Sequence, residues 1–136
     1  MSEIQPLLQP ITLGAVQLKN RVIMAPLTRC RATNKHQAPD QKHIDYYTQR
    51  AGAGLIISEG SEVSKKARGY AFVAGIFNDA QIEGWKKVVD SVHHKGGKIF
   101  MQLWHVGRTS LPDFHDGELP WAPSAVNPDI ELRNAH

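Results

Sequence analysis

Short apolar runs alternate with longer stretches of helical periodicity along this chain, and that alternation is the first guide to its fold. Residues 10–18, PITLGAVQL, hold two apolar pieces around Gly14-Ala15, the spacing of a hairpin. Within 21–27, Val22-Ile23-Met24-Ala25 is a continuous apolar run, as expected of a strand buried on both faces. Residues 28–39 are polar and end at Pro39, which predicts a loop. Asp40 suits a helix N-cap, and Ile44, Tyr47 and Ala51 fall at helical spacing, which predicts a helix over 41–51 stopped by Gly52 and Gly54. The cycle then repeats. A strand is predicted over 55–58, a loop over 59–78, and a helix over 80–95 with Asn78 or Asp79 as cap. Ile82, Trp85, Val89 and Val92 would form its apolar stripe. Gly96-Gly97 closes that helix, and 98–104, KIFMQLW, is a third strand. Residues 105–136 contain Pro112, Pro120, Pro123 and Pro128 and predict an irregular excursion.

Strands alternating with helices imply parallel strands joined by right-handed crossovers. Two architectures suit that order, a doubly wound open sheet and a (β/α)₈ barrel. The first strand ends in Pro26-Leu27-Thr28 rather than a Gly-x-Gly-x-x-Gly turn, so the dinucleotide-binding reading lacks its main signature. A barrel takes roughly 250 residues. The 136 residues here would make a single partial domain, 1–136. Periodicity alone favours the barrel portion only slightly.

Composition narrows the function classes. The chain is 41% hydrophobic and 21% charged, a balance that supports a packed core. Its net charge of +3 is spread out, with Lys65-Lys66 and Lys86-Lys87 the adjacent lysine pairs, so no nucleic-acid face is expected. A lone cysteine, Cys30, rules out an internal disulfide and suits a reducing compartment. The N-terminal residues lack a signal-peptide pattern, and no apolar run approaches the roughly 20 residues of a membrane span. A soluble, cytoplasmic protein is expected. His93-His94 are adjacent and point to different helix faces, and the other histidines are scattered, so no metal site is expected. There is no P-loop or Ser-centred elbow.

Three long segments carry a resemblance. They are LKNRVIMAPLTRCRA (18–32), AGLIISEGSEVSKKARGY (53–70) and GIFNDAQIEGWKKVVDSVHHKGGKIFMQLWHVGRTS (75–110). Together they resemble the N-terminal portion of the Old Yellow Enzyme family (NADH:flavin oxidoreductase / 12-oxophytodienoate reductase-like). The resemblance implies an α/β fold that is the N-terminal portion of a TIM (β/α)₈ barrel, about three βα units with an N-terminal hairpin. It also implies an FMN-dependent oxidoreductase of ene-reductase type. In that family NAD(P)H reduces the flavin, which passes hydride to an activated alkene such as an α,β-unsaturated carbonyl compound.

Carried over residue by residue, the resemblance sets Pro26, Leu27 and Thr28 against the flavin ring, with the Thr28 hydroxyl tuning its potential. By spacing alone Thr28 merely opens a loop. Gly60 matches a small residue whose backbone meets the flavin, and glycine permits such an approach. Gln102 matches an amide that pairs with the pyrimidine side, supplying donor and acceptor together. Its place in an apolar strand agrees, since a buried polar group needs a partner. Tyr70 and Trp104 match aromatic residues lining the substrate space; the plainer readings are a surface loop aromatic and core packing. No catalytic residue is assigned. The resemblance implies that the carbonyl-binding pair, the proton-donating tyrosine and the phosphate-holding arginines lie beyond these 136 residues. A second chain completing the barrel is one expectation. The alternative is a truncated or degenerate α/β interaction protein without catalysis, which flavin absorbance would distinguish.

Overall fold

The structure, a computed structural model, describes residues 5–129. Readings made on residues 1–4 and 130–136 lie outside the described residues. Gly14 takes φ 56°, a left-handed conformation that tight hairpin turns use and glycine tolerates. It lets β1 (Ile11–Leu13) pair antiparallel with β2 (Val16–Leu18), with Ile11 opposite Leu18. The next two residues tie the hairpin down. Lys19 Nζ donates to Ala51 O at 2.6 Å, and Asn20 Nδ2 donates to Gly52 O at 3.0 Å. Those carbonyls follow a helix C-terminus, where acceptors lack partners within the helix and a cation is favoured. The hairpin therefore packs at the end of the sheet where the strands begin. Gly54 makes this possible, since a Cβ there would meet Asn20 O at 2.0 Å.

The main sheet contains β3 (Ile23–Met24), β4 (Leu55–Glu62) and β5 (Ile99–Trp104) in that order, all parallel. Helices α1 (Gln41–Thr48) and α2 (Asp79–His94) connect them. The described residues thus contain two strand–helix units and a third strand. Asp40 caps α1 through a reciprocal box: its carboxylate accepts Lys42 N–H at 3.0 Å, and His43 Nδ1 accepts Asp40 N–H at 3.1 Å. Asn78 caps α2 by accepting Gln81 N–H at 3.0 Å. Helix α1 ends at Thr48 rather than near 51, because the Arg50 and Ala51 amides bond three residues back, to Tyr47 and Thr48, and tighten the chain into turns.

Both helices cover one face of the sheet and meet where Thr48 Oγ1 lies 2.7 Å from Ser91 Oγ. The core between them comprises Ala32, Tyr47, Ala51, Ile56, Ala74, Trp85, Val88 and Val92. The inward face of α2 differs from the sequence expectation. Gln81, Gly84, Trp85, Val88 and Val92 are buried, whereas Ile82 is 41% exposed and Val89 only half-buried. Hydrogen bonding explains the rotation. Gln81 Oε1 accepts Phe77 N–H at 2.9 Å and its Nε2 donates to His36 O at 2.9 Å, so this polar residue fastens the preceding loops from inside. Trp85 Nε1 donates to Gly75 O at 3.0 Å for the same purpose.

The first strand also departs from expectation. A run that reads as buried on both faces is largely uncovered: Val22 and Ile23 are 45% and 48% exposed, Ala25 is exposed, and Met24 packs against the core. On β5, Phe100 is 48% exposed on the face away from the helices, and Leu103 is exposed beyond the reach of α2. Among the described residues, no further strand joins the outer edges of β3 and β5.

Candidate functional site

A β-bulge organises the carboxyl end of the sheet. Ile57 pairs with Phe100, but the next pair is Gly60 with Gln102, so β4 contributes one residue more than β5 over this step. Without that extra residue Glu59 would stand opposite Gln102. The bulge instead brings Gly60 to the open face and turns Glu59 toward the helices. Ser58 repairs the interrupted ladder, its Oγ accepting Gln102 N–H at 3.1 Å and donating to Glu59 O at 2.8 Å.

Buried Glu59 then joins three segments. Its Oε1 accepts the Tyr47 hydroxyl at 3.2 Å, its own N–H donates to Tyr47 Oη at 2.8 Å, and its Oε2 accepts Arg29 N–H at 3.3 Å. Burial raises the Glu59 carboxyl above its ordinary range, opposed chiefly by His43 and the Arg29 amide. Burial, with Glu59 beside it, likewise raises the Tyr47 hydroxyl. The Arg29 bond is the recorded link between the Pro26–Leu27–Thr28 segment and the bulge. Cys30 follows at φ 52°, a left-handed conformation uncommon outside glycine.

On the open face Gly60 and Gln102 are register partners, and Trp104 lies against Gly60 so closely that a Cβ there would come 2.3 Å from its ring. Tyr70 stacks on Trp104 with centroids 5.5 Å apart and planes at 24°. Thr28 and Gln102 are exposed, and among the described residues neither the Thr28 hydroxyl nor the Gln102 carboxamide has a recorded partner. Pro26 and Leu27 are also exposed at the exit of β3. Gly60, Gln102, Trp104 and Tyr70 therefore form one contiguous patch, and the Arg29 N–H bond to Glu59 ties the residue after Thr28 to the bulge from the helix side.

Behind Tyr70 a second buried acid holds the loop. Glu62 Oε2 lies 3.5 Å from Arg68 Nε, and burial pushes its carboxyl up to about 7 against the pull of Arg68. The Arg68 carbonyl accepts from Ser110 Oγ, which lies 2.8 Å from Nε2 of buried His115. Burial, then Lys66, lowers the His115 pKa. Sequence reasoning missed Glu59, Glu62, Tyr47 and Arg68. The available signal was the pair of acids in the run 55–62, LIISEGSE, since buried charge demands partners; the same burial argument applied to Gln102 does not hold here, because its strand edge is open and the side chain is exposed.

Residues 6–135 match the model of the NADH:flavin oxidoreductase / NADH oxidase family. The chain belongs to that family. It is 46% identical over 130 residues to a flavin oxidoreductase, hxnT, of Emericella nidulans, covering 93% of this chain and 34% of that protein. It is 46% identical over 117 residues to 12-oxophytodienoate reductase 1 of Oryza sativa subsp. japonica, covering 85% of this chain and 30% of the relative. Among solved structures, morphinone reductase matches with TM-score 0.86 at 51% identity, over 95% of this chain and 34% of that one. The old yellow enzyme of Trypanosoma cruzi matches with TM-score 0.83 at 43% identity, over 93% and 37%. The Old Yellow Enzyme resemblance is thus borne out, and the sheet is consistent with part of such a barrel. The chain spans about a third of the length of these relatives. Among the described residues no helix is long and apolar enough to cross a membrane.

Proposed function

We propose that this chain supplies the N-terminal part, a single partial domain, of an FMN-dependent NAD(P)H oxidoreductase of ene-reductase type acting on small α,β-unsaturated carbonyl compounds. The observation carrying this reading is the patch where the exposed, unpartnered Gln102 amide stands beside its register partner Gly60, which is buried under the Trp104 ring on which Tyr70 stacks. That set fits a flat heteroaromatic ring with polar edges. FMN, when bound, supplies hydride chemistry between NAD(P)H and an activated C=C bond. The Gln102 carboxamide would pair with the ring's donor–acceptor edge. Thr28 Oγ1 would donate toward charge developing on the ring, held in place by the Arg29–Glu59 bond. Pro26, Leu27 and the Gly60 backbone would supply the surface on which the ring rests. Tyr70 and Trp104 would exclude water from the substrate side. The remaining strands, in the same polypeptide or a second chain, would cover the open edges of β3 and β5 and contribute the proton donor and phosphate ligands. A reducing, cytoplasmic setting accords with the lone Cys30.

The test is a hybrid that joins this chain to the remaining two thirds of the Emericella nidulans relative. The hybrid should purify with FMN and reduce 2-cyclohexenone with NADPH. Gln102→Leu should weaken FMN binding about tenfold, the loss of one good hydrogen bond. A well-folded hybrid that holds no FMN, or one indifferent to Gln102→Leu, overturns the reading.

A further inference from the structure

On the helix side of the sheet, separate from the flavin-side patch, a cleft of about 170 Å³ opens between the exit loop of β3 and the first turn of α1. Arg29, Arg31, Lys42, His43, Tyr46 and Glu59 line it, and none of the residues assigned to flavin or substrate does. Its electrostatics are one-sided. Among the described residues no carboxylate pairs with the side chains of Arg29, Arg31 or Lys42. The Arg29 guanidinium instead lies 4.9 Å from the centre of the Tyr46 ring. Glu59 is the acid in the lining. Both of its oxygens are already engaged, and burial favours its neutral form.

His43 supplies an independent observation. Its side chain is 2% exposed, and its Nε2 is buried without a hydrogen-bond partner. Asp40 N–H points at Nδ1 from 3.1 Å, so Nδ1 accepts and the ring proton resides on Nε2. With the proton there, a buried N–H donor beside the cleft lacks an acceptor, a costly condition that a bound oxygen would remove. Three cationic side chains without a salt bridge, near Asp40 and Glu59, and one orphaned donor suit an acceptor carrying negative charge. The first turn of α1 adds a favourable helix dipole.

We propose that this cleft binds a small oxyanion, inorganic phosphate or the carboxylate of an organic acid, through Arg29, Arg31, Lys42 and the Nε2–H of His43. Occupancy would clamp the loop that carries Thr28 onto α1, so the anion would set how firmly the flavin-side segment is held. This goes beyond the oxidoreductase reading and does not depend on flavin.

The experiment titrates the full chain with sodium phosphate, and separately with sodium acetate, against sodium chloride at constant ionic strength. Amide shifts of residues 29–31 and 40–46 and the His43 Nε2 resonance are followed. Saturable shifts confined to these residues are expected, with apparent affinity at least about tenfold weaker in Arg31→Ala and in Lys42→Gln, each removing one exposed charged donor. Saturation by acetate as well as phosphate assigns a general carboxylate-and-phosphate site. Saturation by phosphate alone assigns a phosphoryl site. Either outcome supports the proposal. Linear shifts that match between wild type and variants, no shift at all, or a chain without ordered signals at these positions each overturn it.

Discussion

The two faces of the three-stranded sheet follow different rules. The helix-covered face is packed: Tyr47, Ile56, Trp85, Val88 and Val92 are buried, and Gln81, Trp85 Nε1 and Glu59 have partners, with His43 Nε2 an exception. The opposite face shows half-exposed Ile23 and Phe100 beside the unpartnered amide of Gln102. One surface is covered by helices of the chain itself, and the other is left open among the described residues. The difference teaches that the packed core and the proposed cofactor patch lie on opposite sides of the same strands. Glu59, reached through a bulge, is the buried link between them.

The comparison breaks most visibly at Trp85 and Phe100. Trp85→Ala removes a 2% exposed ring and its bond to Gly75, and should cost about 3–5 kcal/mol in urea unfolding. Phe100→Ala in the isolated chain should fall within about 0.5 kcal/mol of wild type. In the hybrid with the remaining barrel it should become strongly destabilising. Equal costs for the two substitutions in the isolated chain would abolish the distinction between faces.

A smaller effect tests the buried acid near the rim. Glu62 has its carboxyl raised from 4.5 to about 7, so its folded-state pKa lies above its unfolded value. The neutral form is the one that burial favours. Its contribution is therefore fully present below about pH 4.5 and is lost as pH rises through about 7. A shift of that size corresponds to about 3 kcal/mol. Unfolding midpoints should decline between those limits from this group, and Glu62→Gln should flatten the decline. A Glu62→Gln protein with an unchanged pH profile would show that Arg68 already neutralises the site.

The smallest effect concerns the cap that orients α1. Asp40→Ala removes the carboxylate accepting from Lys42 N–H and should cost about 1 kcal/mol, read from thermal unfolding. The loss should fall on the closed face and leave FMN affinity of the hybrid within about twofold, because Gln102 and Gly60 do not depend on that cap.

Much of this architecture was legible in local pattern. Short apolar runs, helical spacing at Ile44, Tyr47 and Ala51, caps at Asp40 and Asn78, and stop glycines are properties of a few neighbouring residues. They determined the order of elements, the parallel strands and, with the longer motifs, the family. Other features belong to distant pairs. Whether α2 buries Ile82 or Gln81 depends on Phe77 and His36 presenting backbone groups to the amide, since satisfying buried donors and acceptors outweighs covering one more apolar side chain. Whether Glu59 or Gly60 faces away from the helices depends on a bulge that Ser58 stabilises across the ladder to Gln102. The sequence by itself determined which elements form and in what order, because those choices rest on short-range sterics and periodicity. Only the tertiary structure decided which side chain each element turns inward, because that choice is made by hydrogen bonds between residues as far apart as His36 and Gln81 or Ser58 and Gln102.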